Sequence, residues 1–385
     1  MRSFPYPIPE EKKVRVILDT DCACEADDPY AIVHALLSPK ISVTGICAEH
    51  FADRFGPDSM EESYREILHV LDLAGLNGQV PVFRGSPCAL SDETTSSPSP
   101  ASQFIIQEAL RDDPRPLFIA GQGALTNVAS ALLEKPEIAD RFTLVWIGGG
   151  TYPDGESEFN AENDIAAANV LFGSAVELWQ VPKNLYSKMT VPFSVLHEKV
   201  APCGEIGQYL FQRVIDTNYK FVSWIKRPGY TPAAVAASYP GGEMWILGDS
   251  PAIGLILFDE RYSFVYRPAP RFTPDSRYLP APDPQRLIRV YTEIDREFIL
   301  SDFYAKLRWH FGADPKEDLL DKIRPWLYGK SFSSKTSAGS RAFPCDQSSK
   351  WRCAPVARPV WPTVPMIWPA PTTSPGRTKR YCRCA

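Results

Sequence analysis

No run of roughly 20 apolar residues occurs in the 385-residue chain, so a bilayer-spanning helix is not expected. The first residues, MRSFPYPIPEEKK, also lack the apolar stretch of a secretory signal, and the expectation is a soluble, cytoplasmic protein with no membrane partner. A disulfide framework is missing too. The nine cysteines, at 22, 24, 47, 88, 203, 345, 353, 382 and 384, are odd in number and scattered, which fits a reducing compartment. Cys22 and Cys24 have no second pair to join them, so zinc is not expected. Acid is scarce at one end: positions 331–385 hold Asp346 alone against nine Lys or Arg, are rich in Ser and Pro, and show no periodicity. They read as a disordered tail behind one domain over 1–330. Of the 46 acidic and 41 basic residues, that domain keeps 45 and 32, a balance that disfavours nucleic acid and suits cation capture.

What is present is a regular alternation of strand and helix patterns. Val14 to Asp19 is a short apolar run ending in acid, the pattern of a buried parallel strand, and Asp28 to Leu37 follows with helical period. Ile41 to Cys47, Val80 to Phe83, Leu117 to Ala120, Thr143 to Ile147 and Val176 to Val181 read as further strands. Between them, Ser59 to Leu73, Ala101 to Leu110, Thr126 to Leu133 and Ile165 to Phe172 read as helices, while SDETTSSPSP (91–100) is an exposed excursion. Beyond about Pro192 the pattern turns more helical, most clearly over Glu205 to Val222 and Asp302 to Trp309. The expected fold is α/β: a mainly parallel open sheet with helices on both faces, binding its ligand beyond the carboxyl ends of the strands.

Those strand ends carry chemistry. The first is followed by Asp19, Asp21, Glu25, Asp27 and Asp28, five carboxylates within ten residues. Such a cluster repels itself unless a cation compensates, and hard oxygen ligands suit Ca²⁺ or Mg²⁺. The plainer reading is that Asp27 or Asp28 merely caps the following helix. Later strand ends hold Glu49-His50, Gly121 to Asn127, Gly148-Gly149-Gly150 and Glu158-Phe159-Asn160.

ILDTDCACEADDPYAIVHALL resembles the amino-terminal acidic signature of the inosine-uridine preferring nucleoside hydrolases. GALTNVASALLEKPEIADRFTLVWIGGG (123–150), SEFNAENDIAAANVLF (157–172) and GDSPAIGLIL (248–257) resemble three further segments of that family, in family order. The resemblance implies a metal-dependent N-glycosidase acting on a small-molecule nucleoside, with no nucleic-acid partner, and it is compatible with a homo-oligomer. It implies that Asp21, Asp28, Asp249 and the Thr126 carbonyl bind Ca²⁺, with Asp21 also the acid that takes a proton from water. It further implies that Asp27, Glu158 and Asn160 hold the sugar hydroxyls. His50 would add a contact from the second strand end, and Trp245 would stack on the base or pack in the core.

Two departures from the family pattern stand out. Many relatives place a His directly before the late metal-binding Asp, where this chain has Gly248, so the usual proton donor to the departing base is missing. The first loop has five residues, CACEA, between Asp21 and Asp27 where three are common, which adds Glu25 and makes Asp19 an alternative ligand. Glu25, His50, Tyr152 and Tyr239 are alternative donors. A catalytically weakened nucleoside- or sugar-binding protein on the same fold is the competing reading, and Gly248 is its support. A haloacid-dehalogenase-type phosphatase, suggested by ILDTD alone, leaves EFN and GDSPAIG unexplained.

Overall fold

A computed structural model describes residues 2–51, 58–225 and 242–313. The expected tail over 331–385 and Tyr239 lie outside the described residues. Among the described residues, twelve strands run in chain order as β1 (Val14–Thr20), β2 (Ile41–Ala48), β3 (Val82–Arg84), β4 (Leu117–Gly121), β5 (Thr143–Ile147), β6 (Glu177–Val181), β7 (Thr190–Pro192), β8 (Met244–Ile246), β9 (Phe264–Pro268), β10 (Arg271–Phe272), β11 (Tyr278–Leu279) and β12 (Leu287–Tyr291). Eight of them form the central sheet in the order β3-β2-β1-β4-β5-β6-β12-β9. All neighbours in it pair in parallel except β12 with β9, which closes one edge antiparallel.

The helices are α1 (Asp28–Leu36), α2 (Ser59–Leu73), α3 (Pro100–Ala109), α4 (Thr126–Glu134), α5 (Phe159–Asn163), α6 (Ile165–Phe172), α7 (Lys183–Tyr186), α8 (Phe193–Lys199), α9 (Gly204–Ile225), α10 (Ser250–Phe258) and α11 (Arg296–Phe311). Alternation along β1 shows how the sheet is covered on both sides. Val16 and Leu18 join one apolar cluster, with α1, α2, α9, α10 and α11, while Ile17 between them joins the other, with α3, α4 and α6. All seven residues of β1 are buried: Val14, Val16, Ile17 and Leu18 are apolar, Arg15 pairs with Glu108, and Asp19 and Thr20 stand at the carboxyl end of the strand. None of the described helices is long and apolar enough to cross a membrane.

The chain winds outward from β1 through β2 to β3, then returns to β4 on the other side of β1 and winds the opposite way. The strand order therefore reverses between β1 and β4, and a crevice opens there at the carboxyl ends of the strands. The loop after β1 and the turn after β4 both enter it, tied together by a bond from the Gln122 amide to the Asp19 carbonyl at 2.8 Å.

The structure corrects the sequence reading mainly in the last third. The final helix starts at Arg296 rather than Asp302, because the Asp295 side chain accepts from the Phe298 amide and caps it there. Sheet structure also continues past residue 260: β12 inserts beside β6, and β9 pairs to it, in a region read as mostly helical.

Candidate active site

A cavity opens at the reversal point between β1 and β4. It is lined by Asp21, Cys24, Glu25, Asp27 and Asp28 from the loop after β1 and the head of α1, and by Gln122 after β4. Ile147, Glu158, Phe159, Asn160, Tyr186, Gly248 and Asp249 complete the wall. Residues from opposite ends of the chain are thus gathered by strand ends and helix heads rather than by long loops.

Asp27 occupies the N-cap position of α1, yet its side chain makes no capping bond. Its Oδ2 instead accepts from the Asp249 amide at 3.2 Å. The reading of Asp27 as a mere helix cap therefore fails, and Asp249 likewise heads α10 without a side-chain cap. Asp28 accepts from the Thr20 hydroxyl. One carboxylate oxygen from each of Asp27, Asp28 and Asp249 lies within 4.8 Å of the others, and all three residues are buried. Burial pushes the Asp28 carboxyl up to about 6. Asp21 is raised well above the usual range by burial and then by the charges of Asp28, Asp27 and Glu25. Asp249 is raised in the same way, first by burial and then by Asp27, Asp28 and Asp21. Acids held this close and this dry are costly when ionised unless a cation sits among them. Their all-oxygen donor set fits a hard divalent ion.

On the opposite wall, Glu158 is fixed by four donors. Its Oε2 accepts from the amides of Gly149 at 2.8 Å and Ala161 at 2.9 Å, and its Oε1 from the Tyr186 hydroxyl at 2.7 Å and the Asn160 amide at 3.3 Å. Asn160, in the lining, donates from Nδ2 to the carbonyls of Ile147 at 2.9 Å and Gln122 at 3.2 Å. This pair is thereby held rigid before any ligand arrives.

Three residues expected at the site stand elsewhere. Thr126 opens α4 one turn beyond Gln122; its hydroxyl donates to Asp164 Oδ2 at 2.7 Å and so accepts from His50 Nε2 at 2.8 Å. Neither Thr126 nor His50 lines the cavity, whereas Gln122 does, its backbone carbonyl accepting from Asn160 Nδ2. Trp245 lies in β8, paired with Val191 of β7, and is buried in the apolar cluster. Of the alternative donors, Tyr152 bonds to Gln180 Oε1 at 2.8 Å outside the cavity.

The structure also brings in residues to which the sequence assigned no role. Arg213 of α9 donates to the carbonyls of Cys22, Ala23 and Glu25, clamping the lengthened loop from behind. Glu49 is buried beside Asp19, and burial followed by the Asp19 charge holds its carboxyl well above the usual range. A Cβ at Gly123 would sit 2.2 Å from Glu49 Oε2, so the turn after β4 passes this acid only because it carries glycine. Tyr186 comes from a four-residue helix with no sequence signal of function. Gln122 has a weak signal, as the residue that ends β4 at the reversal point. Its carboxamide is 1% exposed and makes no hydrogen bond among the described residues.

The structure is thus an α/β fold with a carboxylate-lined cavity at the carboxyl ends of its strands. The model of the inosine-uridine preferring nucleoside hydrolases matches residues 16–272, and the chain belongs to that family. The pyrimidine-specific ribonucleoside hydrolase RihA of Citrobacter koseri is 29% identical over 181 residues, covering 40% of this chain and 56% of that protein. The inosine-uridine preferring nucleoside hydrolase of Crithidia fasciculata is 28% identical over 194 residues, covering 43% and 58%. The chain thus spans little more than half the length of these curated relatives. Among solved structures, the purine-preferring ribonucleoside hydrolase from Gardnerella vaginalis shares the fold with a TM-score of 0.59 at 19% identity, over 77% of this chain and 98% of that one.

Proposed function

We propose that this chain is a metal-dependent N-ribohydrolase, cleaving the N-glycosidic bond of a ribonucleoside or related N-riboside to free base and sugar. The convergence of Asp21, Asp27, Asp28 and Asp249 opposite the rigid Glu158-Asn160 pair in one cavity carries the reading. Asp28 and Asp249, with Asp21 and the Gln122 carbonyl in place of that of Thr126, would hold Ca²⁺. When bound, the ion supplies the positive charge that lets a nearby water lose a proton near neutral pH.

The chain's own residues account for the rest. Asp21 accepts the proton of the attacking water. Asp27 accepts from a ribose hydroxyl, and Glu158 and Asn160 Oδ1 fix the others, so that the anomeric carbon is presented to Asp21. As the C–N bond lengthens the sugar becomes oxocarbenium-like, and the surrounding carboxylates stabilise that charge. The names of the relatives and the family membership support the same chemistry.

The test is release of free ribose and free base from a nucleoside panel by the purified full chain, with Ca²⁺ and with chelator. Release that needs the ion and is lost in Asp21→Asn supports the reading. Equal background release by both proteins, with nucleoside still bound, would leave the competing binding protein, which Gly248 favours.

A further inference from the structure

Breaking a C–N bond to a neutral purine or pyrimidine leaves negative charge on the base unless a donor protonates it as it departs. A base that is already cationic in the nucleoside instead leaves neutral and needs no donor. The described wall of this cavity is suited to the second case. Six carboxyl groups line it, Asp21, Glu25, Asp27, Asp28, Glu158 and Asp249, and no Lys, Arg or His does among the described residues.

The position of the family's histidine, Gly248 here, is also tight. At Gly248 an added Cβ would lie 3.2 Å from Asp27 Oδ2 and 3.3 Å from Tyr186 Cδ2, so the tyrosine ring and the acid flank that position. The Tyr186 hydroxyl, the one phenol in the described wall, already gives its proton to Glu158 at 2.7 Å. His50 is not in the lining, and its Nε2 is on the Thr126 hydroxyl. The lengthened first loop adds Glu25 as a further acid, and Arg213 holds that loop by its carbonyls while leaving the carboxylate to the cavity side. Gln122, also in the lining, has a buried carboxamide without a partner among the described residues.

We propose that the substrates this site turns over best are N-ribosides with a cationic leaving group, such as pyridinium ribosides and N7-alkylated purine ribosides. The inference rests on the ribohydrolase reading above. In the step, water adds its oxygen to the anomeric carbon and gives its proton to Asp21. The C–N bond breaks with its electron pair moving to the ring nitrogen, and that pair neutralises the ring's positive charge. No second proton and no redox partner enter. The carboxylate wall attracts the cation on entry and does not hold the neutral base afterwards.

The experiment measures ribose release by the full chain with Ca²⁺ from nicotinamide riboside, 7-methylguanosine, guanosine, inosine and uridine, with Asp21→Asn as background. A kcat/KM about 10²-fold or more higher for nicotinamide riboside than for uridine, and for 7-methylguanosine than for guanosine, is the expected result, matching the general-acid contribution that a cationic base makes unnecessary. Calorimetry on Asp21→Asn supplies a readout without turnover. There, nicotinamide riboside should bind more tightly than its uncharged dihydro form, with the difference shrinking in high salt. Glu25→Gln should weaken binding of the charged riboside and leave the dihydro form unaffected. Neutral nucleosides cleaved as fast as charged ones, above the Asp21→Asn background, would overturn this inference while leaving the hydrolase standing; loss of that neutral activity in Glu25→Gln would then identify Glu25 as the donor. No release from any substrate above background would overturn both.

Discussion

Two groups of buried polar residues meet near the head of α4, and they are satisfied in opposite ways. Behind the helix start, His50, Thr126 and Asp164 form a closed chain: His50 donates to Thr126, Thr126 to Asp164, and Asp164 also accepts from the amides of Leu90 and Ala167 at 2.8 and 2.9 Å. Asp21, Asp27, Asp28 and Asp249 instead line a cavity, where burial first, and then neighbouring charges including that of Asp28, holds the carboxyls of Asp21, Asp27 and Asp249 well above the usual range. Both groups are buried. The difference is whether the protein itself completes the hydrogen bonds, and a group left incomplete at a strand-order reversal marks where a ligand belongs.

The largest expected effect breaks the cavity half. Asp21→Asn should lower kcat by about 10²- to 10⁴-fold, the usual contribution of a general acid or base. Its melting temperature in the absence of metal should not fall, because the change removes one charge from a self-repelling set. A variant that melted early would make Asp21 a structural residue and move it to the other group.

Metal and pH provide the next effect. Burial raises Asp28 to about 6 and, together with the charge of Asp28, raises Glu25 to about 7. The folded state therefore holds protons more tightly than the unfolded one. The cost of ionising these acids is absent below their unfolded values near 4 and fully present above about 7. Metal-free protein should thus lose stability as pH rises from 5 to 8, and Ca²⁺ should cancel the loss. At a hundredfold excess over Kd the ion adds about 2.7 kcal/mol. Melts that showed no Ca²⁺ effect at pH 8 would remove the metal from the site.

A smaller effect probes the leaving-group side. Gly248→Ala places a methyl against Asp27 and Tyr186, and should cost about 1–3 kcal/mol of stability as an overpacked position. Adding Tyr186→Ala should relieve part of that cost, with a coupling of about 0.5 kcal/mol or more between neighbours. Additive losses in calorimetric melts would show that the ring does not crowd Gly248.

Much of this was legible in the sequence for definable reasons. Strand β1 and the helices α1, α2, α4 and α6 were readable because burial on one or both sides imposes period on apolar residues, and the acids after β1 because five charges in ten residues need an explanation. The β9–β12 pair was not, since exposed Val265, Tyr266 and Leu287 on an edge give no clean alternation. Thr126 and Gln122 lie four positions apart on one turn, and only the hydrogen bonds of the folded chain show which faces the cavity. Arg213 and Tyr186 act from elements whose packing no local pattern records.

The smallest effect on activity is expected where the protein completes its own bonds. Thr126→Val removes the hydroxyl that joins His50 to Asp164, leaving a buried imidazole donor without its acceptor, at a cost of about 1–3 kcal/mol. The cost should fall toward the lower end, because Asp164 keeps its two backbone donors. His50→Ala should cost a similar amount by deleting the donor and opening a small void. Neither change touches the cavity wall, so kcat, KM and Ca²⁺ affinity should stay at wild-type values while the denaturation midpoint shifts. A raised KM in His50→Ala without loss of stability would reverse the assignment: it would return His50 to the ligand and require the folded arrangement around Thr126 to open when substrate binds.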